Sequence, residues 1–200
     1  MDIMKTKTKY IALAATVSLL AGCGGGGGDD APTAPTYAEM EAAATTAAAG
    51  IVDLDTGEVL ATERQFLPTT GTATYTGYVG GDVAGDTLIG ELSLTANFTG
   101  GGTVEGTATN FQHEVDGAYT GTLTMPATNI VANGSGDQEF ASTLSGTLAN
   151  GGSDYTTDIA LTGNFVGGTD NTTVVPTAVA GSAIGTVGSD FLQGAFIATQ

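Results

Sequence analysis

The chain of 200 residues has one cysteine, one histidine, no tryptophan and only four lysines and arginines. Each shortage excludes something. With Cys23 alone, no disulfide can form within the chain, so the fold must be held by packing. One cysteine and one histidine, His113, cannot supply the three or four ligands of a zinc site. Charged residues make up 12%, about half the usual share near 25%, so polar surfaces must come from uncharged side chains. Positive charge is scarcest. Lys5, Lys7 and Lys9 lie before the first apolar run, Arg64 is the sole cation beyond it, and the formal net charge is −17. Such a surface repels nucleic acid and anionic headgroups. The plain reading of the charge is solubility; the sharper one is attraction of a cationic ligand or a basic protein patch.

What the chain has in abundance is Thr, Gly and strict alternation. Leu92-Ser93-Leu94-Thr95-Ala96-Asn97-Phe98-Thr99-Gly100-Gly101 returns as Ile159-Ala160-Leu161-Thr162-Gly163-Asn164-Phe165-Val166-Gly167-Gly168. A period of two marks a half-buried strand, and a Gly-Gly pair ends it in a turn. The 32 glycines sit at strand ends and in Gly-Thr pairs, which reads as turn and bend chemistry rather than disorder.

In chain order, residues 1–22 read as a targeting segment: a basic start to Lys9, then the apolar run Tyr10–Leu20, too short to span a bilayer. The run enters Leu20-Ala21-Gly22-Cys23, which looks like the lipobox of bacterial lipoproteins. That resemblance implies cleavage before Cys23 and acylation of its thiol and new amine. The residue after Cys23 is Gly24, without the Asp that retains many lipoproteins at the inner membrane, so the resemblance implies the outer membrane. Residues 23–35, the acylated Cys with a Gly- and Pro-rich run, read as a flexible tether of about 20 Å root-mean-square span.

Residues 36–70 read as a short helix followed by a small hairpin. Thr36-Tyr37-Ala38-Glu39 has capping-box spacing, an Ala-rich run continues to Ala49, and Gly50 stops it. A helix this short is marginal alone, so it must dock on the rest or fray. The hairpin, Ile51–Ala61, turns at Asp55-Thr56-Gly57; it lacks the further oxygen ligands of a calcium loop. From Thr72 the expected strands are 72–79, 87–98, 103–111, 118–125, 127–132, 138–148, 154–166, 178–187 and 191–199. Large inward residues (Tyr75, Val79, Tyr119, Leu123, Met125, Phe140, Leu144, Leu148, Tyr155, Ile159, Leu161, Phe165) share their parity with Gly77, Gly106, Ala108, Gly121, Gly146, Gly163, Gly181 and Gly185. Mixed large and small side chains on one face fill a narrow closed barrel, and closure removes strand edges. The expectation is an all-β fold, an eight-stranded antiparallel up-and-down β-barrel over residues 71–200.

The lipobox and poly-Gly run, the Gly71-Thr72-Ala73-Thr74-Tyr75-Thr76-Gly77 opening, Thr107-Ala108-Thr109-Asn110-Phe111 and the strands ending in Asn97-Phe98 and Asn164-Phe165 carry a further likeness. Together they resemble the transferrin-binding-protein-B-like β-barrel lipoproteins, of the slam-dependent surface type. The resemblance covers about residues 71–200 with the signal and tether. It implies an eight-stranded barrel displayed on the cell surface, anchored in the outer membrane by lipid on Cys23, that binds a protein or a haem-like ligand. Transferrin binding itself is not implied, because the chain carries one barrel and no neighbouring handle domain.

Chemistry is thin. His113, in Phe111-Gln112-His113-Glu114-Val115-Asp116, reads as a solvated loop histidine rather than a haem ligand. Ser182 lies in a strand pattern and not in a nucleophile elbow. Glu91, Glu105, Glu139 and Asp158 fall on polar strand faces, where ionised acids belong. The expectation is therefore a non-catalytic monomer without cofactor that binds through loops at one barrel end. The candidate loops are Gly80–Asp86, Gln112–Gly117, Asn133–Gln138 and Gly167–Thr173, with Asp82, Asp86, Gln112, His113, Glu114, Asp116, Asp137 and Asp170 as candidate contacts. The alternatives are a transmembrane barrel with its apolar parity facing lipid, or a secreted hydrolase.

Overall fold

Apolar side chains at every second position leave water only if all the strands share one interior. The computed structural model of the protein describes residues 34–200; the signal reading, Cys23 and all but the end of the tether lie outside the described residues. Among the described residues ten strands follow one helix: α1 (Tyr37–Ala48), then β1 (Thr72–Val83), β2 (Asp86–Asn97), β3 (Thr103–His113), β4 (Gly117–Tyr119), β5 (Leu123–Asn129), β6 (Val131–Ala132), β7 (Gln138–Asn150), β8 (Ser153–Val166), β9 (Ala178–Val187) and β10 (Asp190–Thr199). Each stave is antiparallel to the next, and β10 returns to pair with β1 through Thr76↔Thr199 to Val83↔Leu192. With β4 and β5 sharing one stave beside β3, the result is a closed eight-stranded antiparallel β-barrel.

The fourth stave differs from expectation. Its break falls at residues 120–122, where Gly121 takes φ 136°, and not at Pro126, which lies inside β5. Proline cannot donate to a ladder and enters sheets at bulges or edges. Here the β3–β5 register slips between Val104 and Gly106, opposite Pro126, so a bulge takes up the missing donor. A second bulge bends β2 against β3 between Ile89 and Glu91, where Asn110 adopts φ 52° and its Nδ2 donates to Glu91 Oε2 at 2.6 Å.

The interior is filled by the alternating parity. Tyr75, Leu94, Leu123, Phe140, Leu144, Leu148, Ile159, Leu161, Phe165 and Phe196 are fully buried. Tyr155 is half-buried against the same core. Each such side chain contributes about 1.5–3 kcal/mol on leaving water. The rings of Phe98, Tyr75 and Phe140 meet Phe165 edge-on at 6.0, 6.2 and 6.4 Å. Gly163 leaves the space that the Phe196 ring occupies, which explains why large and small residues share one parity.

On β9 and β10 alternation fails: Ala178–Gly181 and Gly194–Ala198 are buried without interruption. Both faces are covered there, because α1 and the hairpin after it pack on the outside of the barrel. Ala48 and Val52 meet Val166, Ala178, Ala180, Ala195 and Ile197, and Met40 and Ala44 meet Ile89. The expected capping box forms: Thr36 Oγ1 accepts from Glu39 N at 3.4 Å while Glu39 Oε2 accepts from Thr36 N at 2.9 Å. The turn of the hairpin is held by Asp53 Oδ1, which accepts from Asp55 N and Thr56 N at 3.0 and 2.9 Å.

Candidate functional site

The two ends of the barrel are built differently, and the candidate residues divide between them. At one end, here the hairpin end, four tight turns join β1–β2, β3–β4, β7–β8 and β9–β10. Positive φ at Ala84, Gly85, Gly117, Gly151, Gly152 and Gly188 makes them short. At the other, the loop end, lie the Thr99–Gly101 turn, the connection around β6, residues 167–177 and the segment 61–71 that leads into β1.

Asp82, Asp86, Gln112, His113, Glu114 and Asp116 are at the hairpin end; Asp137 and Asp170 are at the loop end. The expectation of one site at one end is thus corrected. The expected loop Gly80–Asp86 is mostly strand, and Asp82 Oδ1 accepts from Gly85 N at 3.1 Å to close the turn. Asp86 and Gln112 pair within the sheet, opposite Val83 and Ala118.

His113 is also corrected. It ends β3 and is 7% exposed. Its Nδ1 accepts from Asp116 N at 3.1 Å and Val115 N at 3.4 Å, so the ring caps the turn. Asp116 Oδ2 stands 3.6 Å from the same nitrogen and accepts from Tyr119 Oη at 3.3 Å. Burial, reinforced by the Asp116 carboxylate, pushes the Tyr119 phenol up to about 12. Tyr155 stacks beyond it at 5.4 Å. This cluster closes the barrel end with its own contacts.

The loop end is organised by a residue that the sequence did not single out as structural. Arg64 is 1% exposed. Its Nη1 donates to Gly167 O at 3.1 Å, and its Nη2 to Asn171 O and Val174 O at 2.9 and 3.0 Å. Nε has no hydrogen-bond acceptor and lies 3.8 Å from Asp170 Oδ1. The Arg64 main chain is fixed as well: its N donates to Phe165 O at 2.9 Å and its O accepts from Gln138 N at 2.7 Å. Residues 61–71 therefore form a strap across the barrel mouth, and Arg64 joins that strap to residues 167–174. Beneath it Tyr75 Oη donates to Pro176 O at 3.1 Å. Burial raises that phenol, and the Arg64 charge opposes the shift.

Two features of this end face water. Phe66, next on the strap, is 54% exposed, while Asp170 Oδ1 accepts from its backbone N at 2.7 Å. Phe66 borders a groove of about 450 Å³ with Leu67, Pro68, Phe98, Gly100–Gly102, Ile130 and Gln138. Beside it, the Glu63 carboxyl is held above the usual carboxylate range, first by burial and then by the Asp137 and Glu139 carboxylates, against the opposing pull of Asn164. Other grooves lie outside the barrel next to α1. Among the described residues no group of three or more His, Cys, Asp or Glu is placed to hold a metal ion. The chain matches no protein-family model, and no curated protein matches it.

Proposed function

We propose that the protein is a non-catalytic, lipid-anchored surface protein of the outer membrane, of the transferrin-binding-protein-B-like kind, that recognises a partner through the loop end of its barrel. The observation that carries this reading is the fixed strap: Arg64 and Asp170 hold its backbone while the Phe66 ring is left in water. A large apolar side chain on a preset backbone suits recognition, since little ordering entropy is lost on contact. The occupied interior favours an external site over an internal one. The outward parity argues against a lipid-facing barrel: Ser93, Thr95, Glu105, Thr107 and Asp158 alternate with buried positions, whereas a spanning barrel needs an apolar outer band with aromatic girdles. Anchoring rests on Leu20-Ala21-Gly22-Cys23, because acyl chains are what would hold so acidic a chain at a bilayer.

Metabolic labelling with a palmitate analogue tests the anchor. Label is expected on the wild-type chain, and Cys23→Ala is expected to remove it and release the protein to the soluble fraction; equal labelling of both would end the anchor reading. Protease treatment of intact cells then tests the surface location, with peptides from residues 61–71 expected among those released.

A further inference from the structure

The apolar surface at the loop end has a definite shape and a definite charge. Phe66, Val131 and Val174, at 54%, 49% and 39% exposed, are all on this end. The groove between Phe66 and Ile130 runs past Gly100–Gly102. Ile130, which lines it, leads directly into β6, and β6 offers main chain as well as side chain. It continues the β5 stave beyond the start of β3, where Thr103 already pairs with Asn129, and among the described residues its only strand partner is β7, through Val131↔Glu139 and Ala132↔Gln138. The edge of β6 turned away from β7 therefore has no strand beside it. Such an edge takes up an extended segment by main-chain pairing, with alternate side chains read by neighbouring pockets.

Charge selects what that segment carries. Glu139 stands on β7 opposite Val131 of β6, Asp137 precedes it in the same connection, and Glu63 bridges to Val166 nearby, so three carboxylates gather at this end. Burial first, and then Asp137 and Glu139, raise the Glu63 pKa. The one cation among the described residues, Arg64, is buried and spends its Nη donors on carbonyls. A lysine or arginine arriving from outside relieves this repulsion, whereas an acidic segment adds to it. A second copy of this chain would bring the same acids to face themselves.

We infer that the loop end is the docking site of an extended segment of a partner protein in which basic residues alternate with apolar ones. The segment pairs along the free edge of β6, its apolar side chains seat between Phe66 and Ile130, and its basic ones face Asp137, Glu139 and Glu63. This deepens the recognition reading above and rests on it, but it does not depend on the anchor.

The test uses the full chain carrying Cys23→Ala, so that acylation plays no part, with an eight-residue peptide of alternating Lys and Val as the probe in an NMR titration. The alternating Glu-Val and Lys-Ser peptides are the controls. Saturable shifts centred on Phe66, Gly100–Gly102, Ile130 and Val131 are expected, with affinity for Lys-Val at least tenfold above either control. Phe66→Ser, at an exposed position, is expected to weaken binding at least fivefold with an unchanged circular dichroism spectrum. Asp137→Asn with Glu139→Gln is expected to weaken it several-fold and to flatten its salt dependence. Shifts spread over all the acidic faces, equal affinity for Lys-Ser, no binding, or self-association of the chain through this end would each overturn the inference. Equal labelling of both chains in the earlier experiment, which ends the anchor reading, would leave it standing.

Discussion

The hairpin end and the loop end close the same barrel by opposite means. At the hairpin end the side-chain contacts are chiefly short-range, as Asp82 serves Gly85 and His113 serves Val115 and Asp116, with Asn150 tying one turn to Asp116 O and Ala118 O of its neighbour. The loop end has local contacts of its own, such as Asn133 with Ser135 and Asp137, and adds ties spanning more than a hundred positions, as in Arg64 to Gly167, Asn171 and Val174. A locally closed end tolerates little change in length and presents few free groups. An end closed at long range can carry an exposed ring such as Phe66 on a fixed backbone, and can vary its surface while the staves stay in place.

The comparison breaks most severely at Arg64. Arg64→Leu leaves three carbonyls without their charged donor, and the expected cost is about 3–5 kcal/mol. Hydrogen exchange should show where it falls: amides of residues 62–70 and 167–176 lose protection, while those of the turns at 84–85 and 188–189 keep theirs. Equal loss at both ends would show that the ends are not independent.

A smaller effect is expected from the opposite end. His113→Ala removes the acceptor for Asp116 N and Val115 N, and about 1–2 kcal/mol is expected from the denaturation midpoint. Its exchange signature should be the mirror image, confined to residues 113–119 and silent at the strap.

The smallest and most diagnostic effect carries the other sign. Glu63 has a folded-state pKa raised above its unfolded value, so the folded chain binds more protons between the two values and stability falls as pH rises through that interval. Glu63→Gln should therefore raise the unfolding temperature slightly at pH 7. The gain should vanish below about pH 4, where the carboxyl is protonated in both states. A stabilisation that persists in acid would mean that the charge of the part-buried Glu63 carboxylate is not its cause.

Most of the barrel was legible because period two survives in the sequence. The expected segments 138–148, 154–166, 178–187 and 191–199 match β7 to β10 to within about two residues at each end. His113 was misplaced because the expected strand stopped at Phe111, whereas β3 runs on to His113, and parity does not carry across. In β3 the buried positions are even up to Ala108 and odd from Phe111 onward, because the bulge at Asn110 inserts one residue. A count that ignores the bulge turns His113 outward. Arg64 left no pattern at all, since it belongs to an irregular segment and its acceptors are backbone carbonyls, which every residue type supplies. The strap was hidden with it. The helix was readable from Thr36 and Glu39, and its docking place was written in the runs Ala178–Ala180 and Ala195–Ala198, where alternation stops. The division of the acid-bearing connections between two ends was missed because 118–125 and 127–132 were counted as two strands; they share one stave, and that single count moves Asn133–Gln138 and Gly167–Thr173 to the end opposite Gly80–Asp86 and Gln112–Gly117.

The seam between β1 and β10 also sets an order of events. The first and last staves are neighbours, so no barrel exists until β10 has been delivered, and until then β1 waits with an open edge. The seat of α1 includes Ala195 and Ile197 of β10, so the helix that comes first in the chain cannot dock until the strand that comes last is in place. Contacts of this separation make folding slow. A chain threaded amino-terminus first through a membrane therefore cannot close its barrel during passage and completes it only on the far side.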